Sequence, residues 1–182
     1  MTIPTLTTER LLLRPLVAED AVQIQELYPR WEIVRYMVSS VPWPYPENGA
    51  ESYVNNVALP DMEKGIAWFW SIRRREAPDR LMGIICLYDV EDNNRGFWLA
   101  PEFQGKGFMR EASIAATDYW FNTLNKPVLR APKAAANSRS RRISDSSGMR
   151  LIRTEKKAYV SGMLDSELWE ITRDEWNARQ VS

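Results

Sequence analysis

A chain of 182 residues, 45% of them hydrophobic, can bury a sizeable core in one domain and is too apolar for disorder. Lys+Arg and Asp+Glu are both 24, so no net field favours nucleic acid or an anionic membrane as a partner, and any anion site has to be local. With no histidine and one cysteine, Ser-His-Asp and Cys-His catalysis are excluded, an intrachain disulfide is impossible and no metal site is expected.

The opening MTIPTLTTERLLLRPL lacks the apolar core and small-residue cleavage site of a signal peptide, and no apolar run reaches the length of a spanning helix, so a cytoplasmic protein is expected. Residues 9–16 read as a strand ended by Pro15. Residues 18–37 have helical spacing through Ala21, Ile24, Leu27 and Tyr28, interrupted near Pro29. VPWPYP at 41–46 cannot be regular helix and reads as an ordered aromatic loop. A second helix follows over 47–63, with Pro60 as its point of weakness. Strands at 66–75 and 81–90 then form a hairpin around Ala77-Pro78-Asp79, and Cys86 sits in the second as inert core. A third strand at GFWLAP runs into a glycine loop and a helix from Met109 to Leu124, whose Ala112, Ala115 and Ala116 let it lie close to a sheet. Residues 127–133 form a strand in which Pro132 cannot donate a ladder bond; if it is central, it parts from a neighbour there and leaves backbone groups free for an extended ligand. Asn137 caps a helix over 138–147 that ends at Gly148, and strands at about 150–160 and 166–173 close the sheet. No repeat or linker divides the chain, which reads as one α+β unit over 1–182.

The most informative stretch is GFWLAPEFQGKGFMREA, Gly96 to Ala112. Gly105 and Gly107 have no β-carbon, so the chain can turn tightly and bring successive N–H groups close to one anion. The following helix adds its unsatisfied N-terminal donors, and Lys106 and Arg110 add positive charge. A diphosphate fits such a cradle. The loop lacks G-x-x-x-x-G-K-[ST] and the G-x-G-x-x-G spacing, and it lies in mid-chain, which sets aside P-loop and dinucleotide folds. The alternative is a strand-to-helix turn with no ligand.

These residues resemble the GNAT (Gcn5-related) acetyltransferases, and more closely the branch that includes the ribosomal-protein N-terminal acetyltransferases. The likeness spans nearly the whole chain and rests on TERLLLRPL, GFWLAPEFQGKGFMREA, NSRSRRISDSSGM and LWEITRDEW in the expected order. The resemblance implies a mixed, mostly antiparallel splayed sheet of about six to seven strands flanked by helices, with acetyl-CoA between the family's fourth and fifth strands. Phe97, Trp98 and Leu99 occupy the fourth strand, which would pair with the pantetheine arm. The pyrophosphate loop of the family matches Gln104, Gly105, Lys106, Gly107, Phe108 and Met109, with Arg110 following; Met109 stands where the family has Gly or Ala. Asn137 begins the family's N-x-x-S motif and can both cap its helix and meet the cofactor. Members are often dimers, so the resemblance leaves a homodimer open.

Acetyl transfer from a thioester needs a neutral amine, stabilisation of the oxyanion and a proton for the departing thiolate. An α-amino group, with a pKa near ~8 against ~10.4 for lysine, needs the weaker base. The resemblance implies that a backbone N–H near Leu99 polarises the acetyl carbonyl and that Ser140, the serine of N-x-x-S, approaches the sulfur; the other reading of Ser140 is an ordinary first-turn helix serine. Tyr159 lies near where the branch carries a catalytic glutamate and can give a proton to a thiolate, or it is a packed strand aromatic. Asn94 and Arg95 stand where an acid often precedes the fourth strand. Glu91, Asp92 and Glu102 read as solvated loop carboxylates, as do Arg73 to Arg75 as solvated bases. Arg139, Arg141 and Arg142 either meet the 3′-phosphate or form a solvated helix face. Trp43 and Tyr45 are placed as walls of the acceptor site. The expected activity is acetyl-CoA-dependent N-acetylation of a protein, peptide or small-molecule amine by direct attack in a ternary complex; the competing reading is a non-catalytic acyl-CoA-binding or sensing module.

Overall fold

In the computed structural model, which describes residues 2–180, the strands form two sheets that meet at one corner. The first sheet has five antiparallel strands in sequence order: β1 (Leu6–Thr7), β2 (Leu11–Pro15), β3 (Ala67–Arg74), β4 (Ala77–Tyr88) and β5 (Arg95–Leu99). The second has three, ordered β6 (Val128–Ala134), β8 (Gly162–Thr172) and β7 (Arg150–Tyr159). The last strands therefore do not close the first sheet, as the sequence reading expected; they build a separate one on β6. β6 keeps β8 as its neighbour through Pro132, which lies opposite Leu168, and the gap opens on its other edge, toward β5.

Both faces of the first sheet are covered, which is why β3 is buried almost throughout instead of alternating. On one face α5 (Phe108–Asp118) lays Ala112 and Ala116 against Trp70, Ile85 and Leu87, and the same cluster takes in Leu129, Trp169 and Ile171 of the second sheet. On the other face α1 (Ala21–Leu27), α3 (Gly49–Tyr53) and α4 (Leu59–Glu63) cover Phe69, Ile84 and Cys86. Burial pushes the Cys86 thiol up to about 12, so it is inert, as expected.

Several boundaries moved for identifiable reasons. The β3–β4 turn is at Arg75–Glu76, and Pro78 lies inside β4, where the ladder has irregular register and its carbonyl accepts from Arg14 Nη2 at 3.2 Å and Arg73 Nη1 at 3.0 Å. Arg73 is not solvated: its Nη2 pairs with Asp20 Oδ1 at 2.6 Å, both side chains being buried. The helix over 49–63 passes Pro60 without a break because a π-helical turn at Val54–Ala58 rearranges the backbone bonds just before it, Leu59 N–H donating to Val54 O. After Pro29 only α2 (Trp31–Val34) is helical; residues beyond it pair with the end of β7, Val160 N–H donating to Met37 O at 2.9 Å and Ser39 N–H to Ala158 O at 3.3 Å. α6 (Ser138–Ser146) has the expected cap, Asn137 Oδ1 accepting from Ser140 N–H at 3.3 Å. A C-terminal helix, α7 (Arg173–Gln180), was not foreseen, although Thr172 and Glu175 form a reciprocal capping pair, T-x-x-E, that signals it. Among the described residues no helix is long and apolar enough to cross a membrane.

Candidate active site

The glycine loop turns through the left-handed region twice, at Gly105 (φ +77°) and at Gly107 (φ +82°), and Gly107 is the N-cap of α5. No side chain caps this end, so the N–H groups of Phe108, Met109 and Arg110 are left as donors at a positive dipole end. Phe108 and Met109 turn their side chains inward, while Lys106 and Arg110 are exposed at the mouth. The loop is held from behind by residues far away in sequence. Arg10 Nη1 donates to Lys106 O at 3.0 Å and its Nε to Glu111 Oε2 at 2.8 Å, while Thr8 Oγ1 donates to Glu111 Oε1 at 2.6 Å. Gln104 Nε2 donates to Leu99 O at 2.7 Å, which ties the loop to β5.

β5 and β6 are joined at their base by one residue. Asn94 N–H donates to Arg130 O at 2.7 Å and its Oδ1 accepts from Arg130 N–H at 2.8 Å, while its Nδ2 donates to Tyr88 O at 3.1 Å and Val90 O at 2.9 Å. Beyond this junction the two strands belong to different sheets. Ala100 N–H bonds Met82 O in β4 at 2.9 Å; by the alternation of an antiparallel ladder, Phe97 and Leu99 turn their peptide groups the other way, to the gap. One cleft of about 1290 Å³ runs from Gly105 and Gly107 through this fork, past Ser140, to the aromatic side chains of α1 and the Pro-rich loop.

The glycine loop and the fork between the two sheets lie within residues 10–150, which match the family model of the Acetyltransferase (GNAT) domain. The chain belongs to the GNAT acetyltransferases. It is an enzyme of the N-acetyltransferase class, and the uncharacterised N-acetyltransferase YnaD of Bacillus subtilis (strain 168) is 29% identical over 94% of this chain and 99% of its own. The fold is that of the ribosomal-protein-S5-alanine acetyltransferase of Vibrio fischeri, with a TM-score of 0.80 at 18% identity over 96% of this chain and 99% of that one. It is equally that of spermidine N-acetyltransferase from Vibrio cholerae in complex with CoA and spermine, with a TM-score of 0.77 at 19% identity over 93% and 99%.

In GNAT terms, β5 and β6 are the family's fourth and fifth strands, because the two-residue β1 precedes the family's first. Phe97, Trp98, Leu99, Gln104, Gly105, Gly107, Phe108, Met109, Arg110, Asn137, Ser140, Tyr159 and Tyr45 all line the one cleft; Lys106 and Trp43 do not. Trp43 lies outside, its ring 5.6 Å from that of Trp31, and Tyr45 meets Tyr28, which in turn packs on Trp98 at 5.2 Å. Tyr28, which its helical spacing assigns only to packing, thus also lines the cleft beside Tyr45 and Trp98. Burial raises the phenols of Tyr28 and Tyr45, and takes Tyr53 up to about 12, so this wall is neutral. Arg139 and Arg142 line the cleft and are exposed, whereas Arg141 turns away to Glu167 at 2.8 Å.

Of the three carboxylates expected to be solvated, Glu91 is exposed as expected, whereas Asp92 and Glu102 are paired with arginines. Asp92 accepts from Arg130 at 2.9 Å and Arg153 at 3.1 Å, which hold its carboxyl below the ordinary value, and Arg30 does the same to Glu102 from 2.5 Å. Glu32, on α2, is an exposed acid lining the cleft that the sequence reading passed over. Tyr159 is buried and donates from its hydroxyl to Ser166 Oγ at 2.8 Å, and burial raises its pKa, so the phenol keeps its proton. Ser140 is buried in the first turn of α6 and faces the cleft.

Proposed function

We propose that the whole chain acts as one unit that binds acetyl-CoA in the fork and acetylates the α-amine of a protein or peptide, or a small monoamine, by direct attack. The observation that carries this reading is the continuity of the cleft, which brings a diphosphate cradle, an unpaired strand edge and an aromatic wall into one space. The cradle takes the pyrophosphate on the N–H groups of residues 108–110, with Arg110, Arg139 and Arg142 around it and Lys106 outside the cleft at its mouth. The free edge of β5 receives the pantetheine arm as an added strand, and the Leu99 N–H receives the oxyanion.

The amine nitrogen bonds to the thioester carbonyl carbon, the C–S bond breaks, and the sulfur leaves with the bonding pair. Ser140 gives its hydroxyl proton to sulfur and regains one from the acylated nitrogen through water in the cleft, so that no net proton is gained or lost. Asp92 is bound by arginines and Tyr159 stays protonated, so the carboxylates left in the cleft are the exposed Glu32 and Glu91, weak bases that suit an α-amine better than a lysine. A polyamine is a poorer fit on charge, because the cationic Arg35 lines the acceptor side together with Glu32.

Calorimetric titration with acetyl-CoA and desulfo-CoA, with NAD as control, tests the cofactor reading: saturable binding of the CoA species alone supports it, and no binding removes it. With a working acceptor amine, Ser140→Ala should lower kcat by about 10²-fold while leaving acetyl-CoA affinity within about threefold. Equal turnover would remove Ser140 as the proton donor.

A further inference from the structure

Two buried cations face the floor of the fork, and no carboxylate pairs with either among the described residues. Arg95, at the start of β5, is 3% exposed. It donates from Nη1 to Thr117 Oγ1 at 2.9 Å and directs Nη2 at Met149 Sδ at 3.5 Å, a weak acceptor, while its buried Nε has no partner. Lys133, near the end of β6, is 6% exposed and donates to Ser144 Oγ on α6. The nearest acid by strand register is Glu167, opposite Lys133 on β8, and its Oε1 already accepts from Arg141 Nε at 2.8 Å and Trp169 Nε1 at 3.3 Å. Burial draws Arg95 down to about 10 and Lys133 well below the ordinary lysine value, with Arg95 repelling Lys133 and Glu167 opposing the shift. Such a pair is costly in an empty pocket and is relieved by an anion that enters it.

The position of the pair decides which substrate brings that anion. Arg95 and Lys133 line the same cleft as Phe97, Leu99 and Ser140. Along β5 and β6, Arg95 and Lys133 share a face with Phe97, Leu99 and Ala131, the face packed under α5 and α6, from which the cradle opens. Trp98 lies on the opposite face with Tyr28, on the acceptor side. An anion at the floor therefore arrives on the acyl end of the thioester arm. We infer that this enzyme accepts a dicarboxylic acyl-CoA, of the malonyl or succinyl type, whose free carboxylate is received by Arg95 and Lys133. The inference rests on the CoA reading above and changes only the acyl group: the same C–N bond forms, the same C–S bond breaks, and the distal carboxylate passes through unchanged.

The test is calorimetric titration of the intact protein with CoA, acetyl-CoA, malonyl-CoA and succinyl-CoA. A dicarboxylic acyl-CoA should bind at least about tenfold more tightly than acetyl-CoA. Arg95→Met and Lys133→Met, each checked for folding by thermal melting, should weaken the dicarboxylic species about tenfold more than CoA itself, and Arg95→Lys should keep part of the preference. Acetyl-CoA binding as tightly as the dicarboxylic species to the wild-type protein overturns the inference without touching the CoA reading; failure of every CoA species to bind overturns that reading instead. Free succinate and glycylglycine, titrated into the CoA-saturated protein, separate the sources. Arg95-dependent binding of glycylglycine alone would assign the carboxylate to the acceptor and overturn the proposal.

Discussion

Arg73 ends a strand beside a turn, a position from which a guanidinium ordinarily reaches water, yet it is held inside by Asp20, Ser71 and Pro78. Burial lowers its pKa and Asp20 opposes that shift, so the ion pair is what makes the charge tolerable there. Asp20→Ala should destabilise the protein by about 3 kcal/mol in urea unfolding, and replacing both partners by apolar residues should recover much of that loss. A solvated Arg73 would show no effect from either change. Nothing in the run Arg73-Arg74-Arg75 separates the buried member from its neighbours, because the selecting contact comes from Asp20, 53 positions away. Tyr45 and Ser140 were legible as candidates, marked by a rigid Pro-rich loop and an N-x-x-S motif, and both line the cleft; Tyr28 lines it too but was not legible, because helical spacing describes a core face and a cleft wall alike.

At the level of the element, the strand, glycine loop and helix form a device whose turning residues are all local. Gly107→Val forces a β-branched side chain into a backbone at φ +82°, and its Cβ would lie 3.3 Å from Arg10 Nη2. It should weaken acetyl-CoA binding at least about tenfold in a protein that still melts cooperatively, and unchanged affinity in calorimetry would remove the loop from the site. The clamp behind the loop has a pH signature. Burial alone would raise the Glu111 carboxyl, but the Thr8 hydroxyl, the Arg10 N–H and the Arg10 guanidinium outweigh it and hold it below its ordinary 4.5. The folded value is the lower one, so the stabilisation is fully present above 4.5 and is lost as pH falls through the folded value. Glu111→Gln should therefore cost about 1–2 kcal/mol at neutral pH and much less near pH 3, as read from urea midpoints across that range. TERLLLRPL was recognised as a motif, but its physical purpose, holding a loop that follows β5, needed the fold.

At the scale of the whole molecule, the two sheets have to stay joined at one end and apart at the other. Asn94 does the joining, and its amide is suited to the place because it donates to Tyr88 O and Val90 O while accepting from Arg130 N–H. A carboxylate at 94 could accept but not donate. Asn94→Asp, close to isosteric, should cost about 2 kcal/mol in thermal or urea unfolding, and a neutral outcome would mean that the junction holds without the side chain. The sequence reading registered Asn94 only as an absent acid, since its partners come from two strands. Glycine spacing, an uncapped helix start, an Asn cap and alternating apolar residues are properties of neighbours in the chain, so the turn of the glycine loop, most of the elements and the family likeness could be read before any fold was known. The split into two sheets, the arginine clamp behind the loop and the cation pair under the fork could not. They arise from contacts between residues as far apart as Thr8 and Glu111, 103 positions, and only folding determines which distant side chains meet and which are left in the dry interior without a counter-charge.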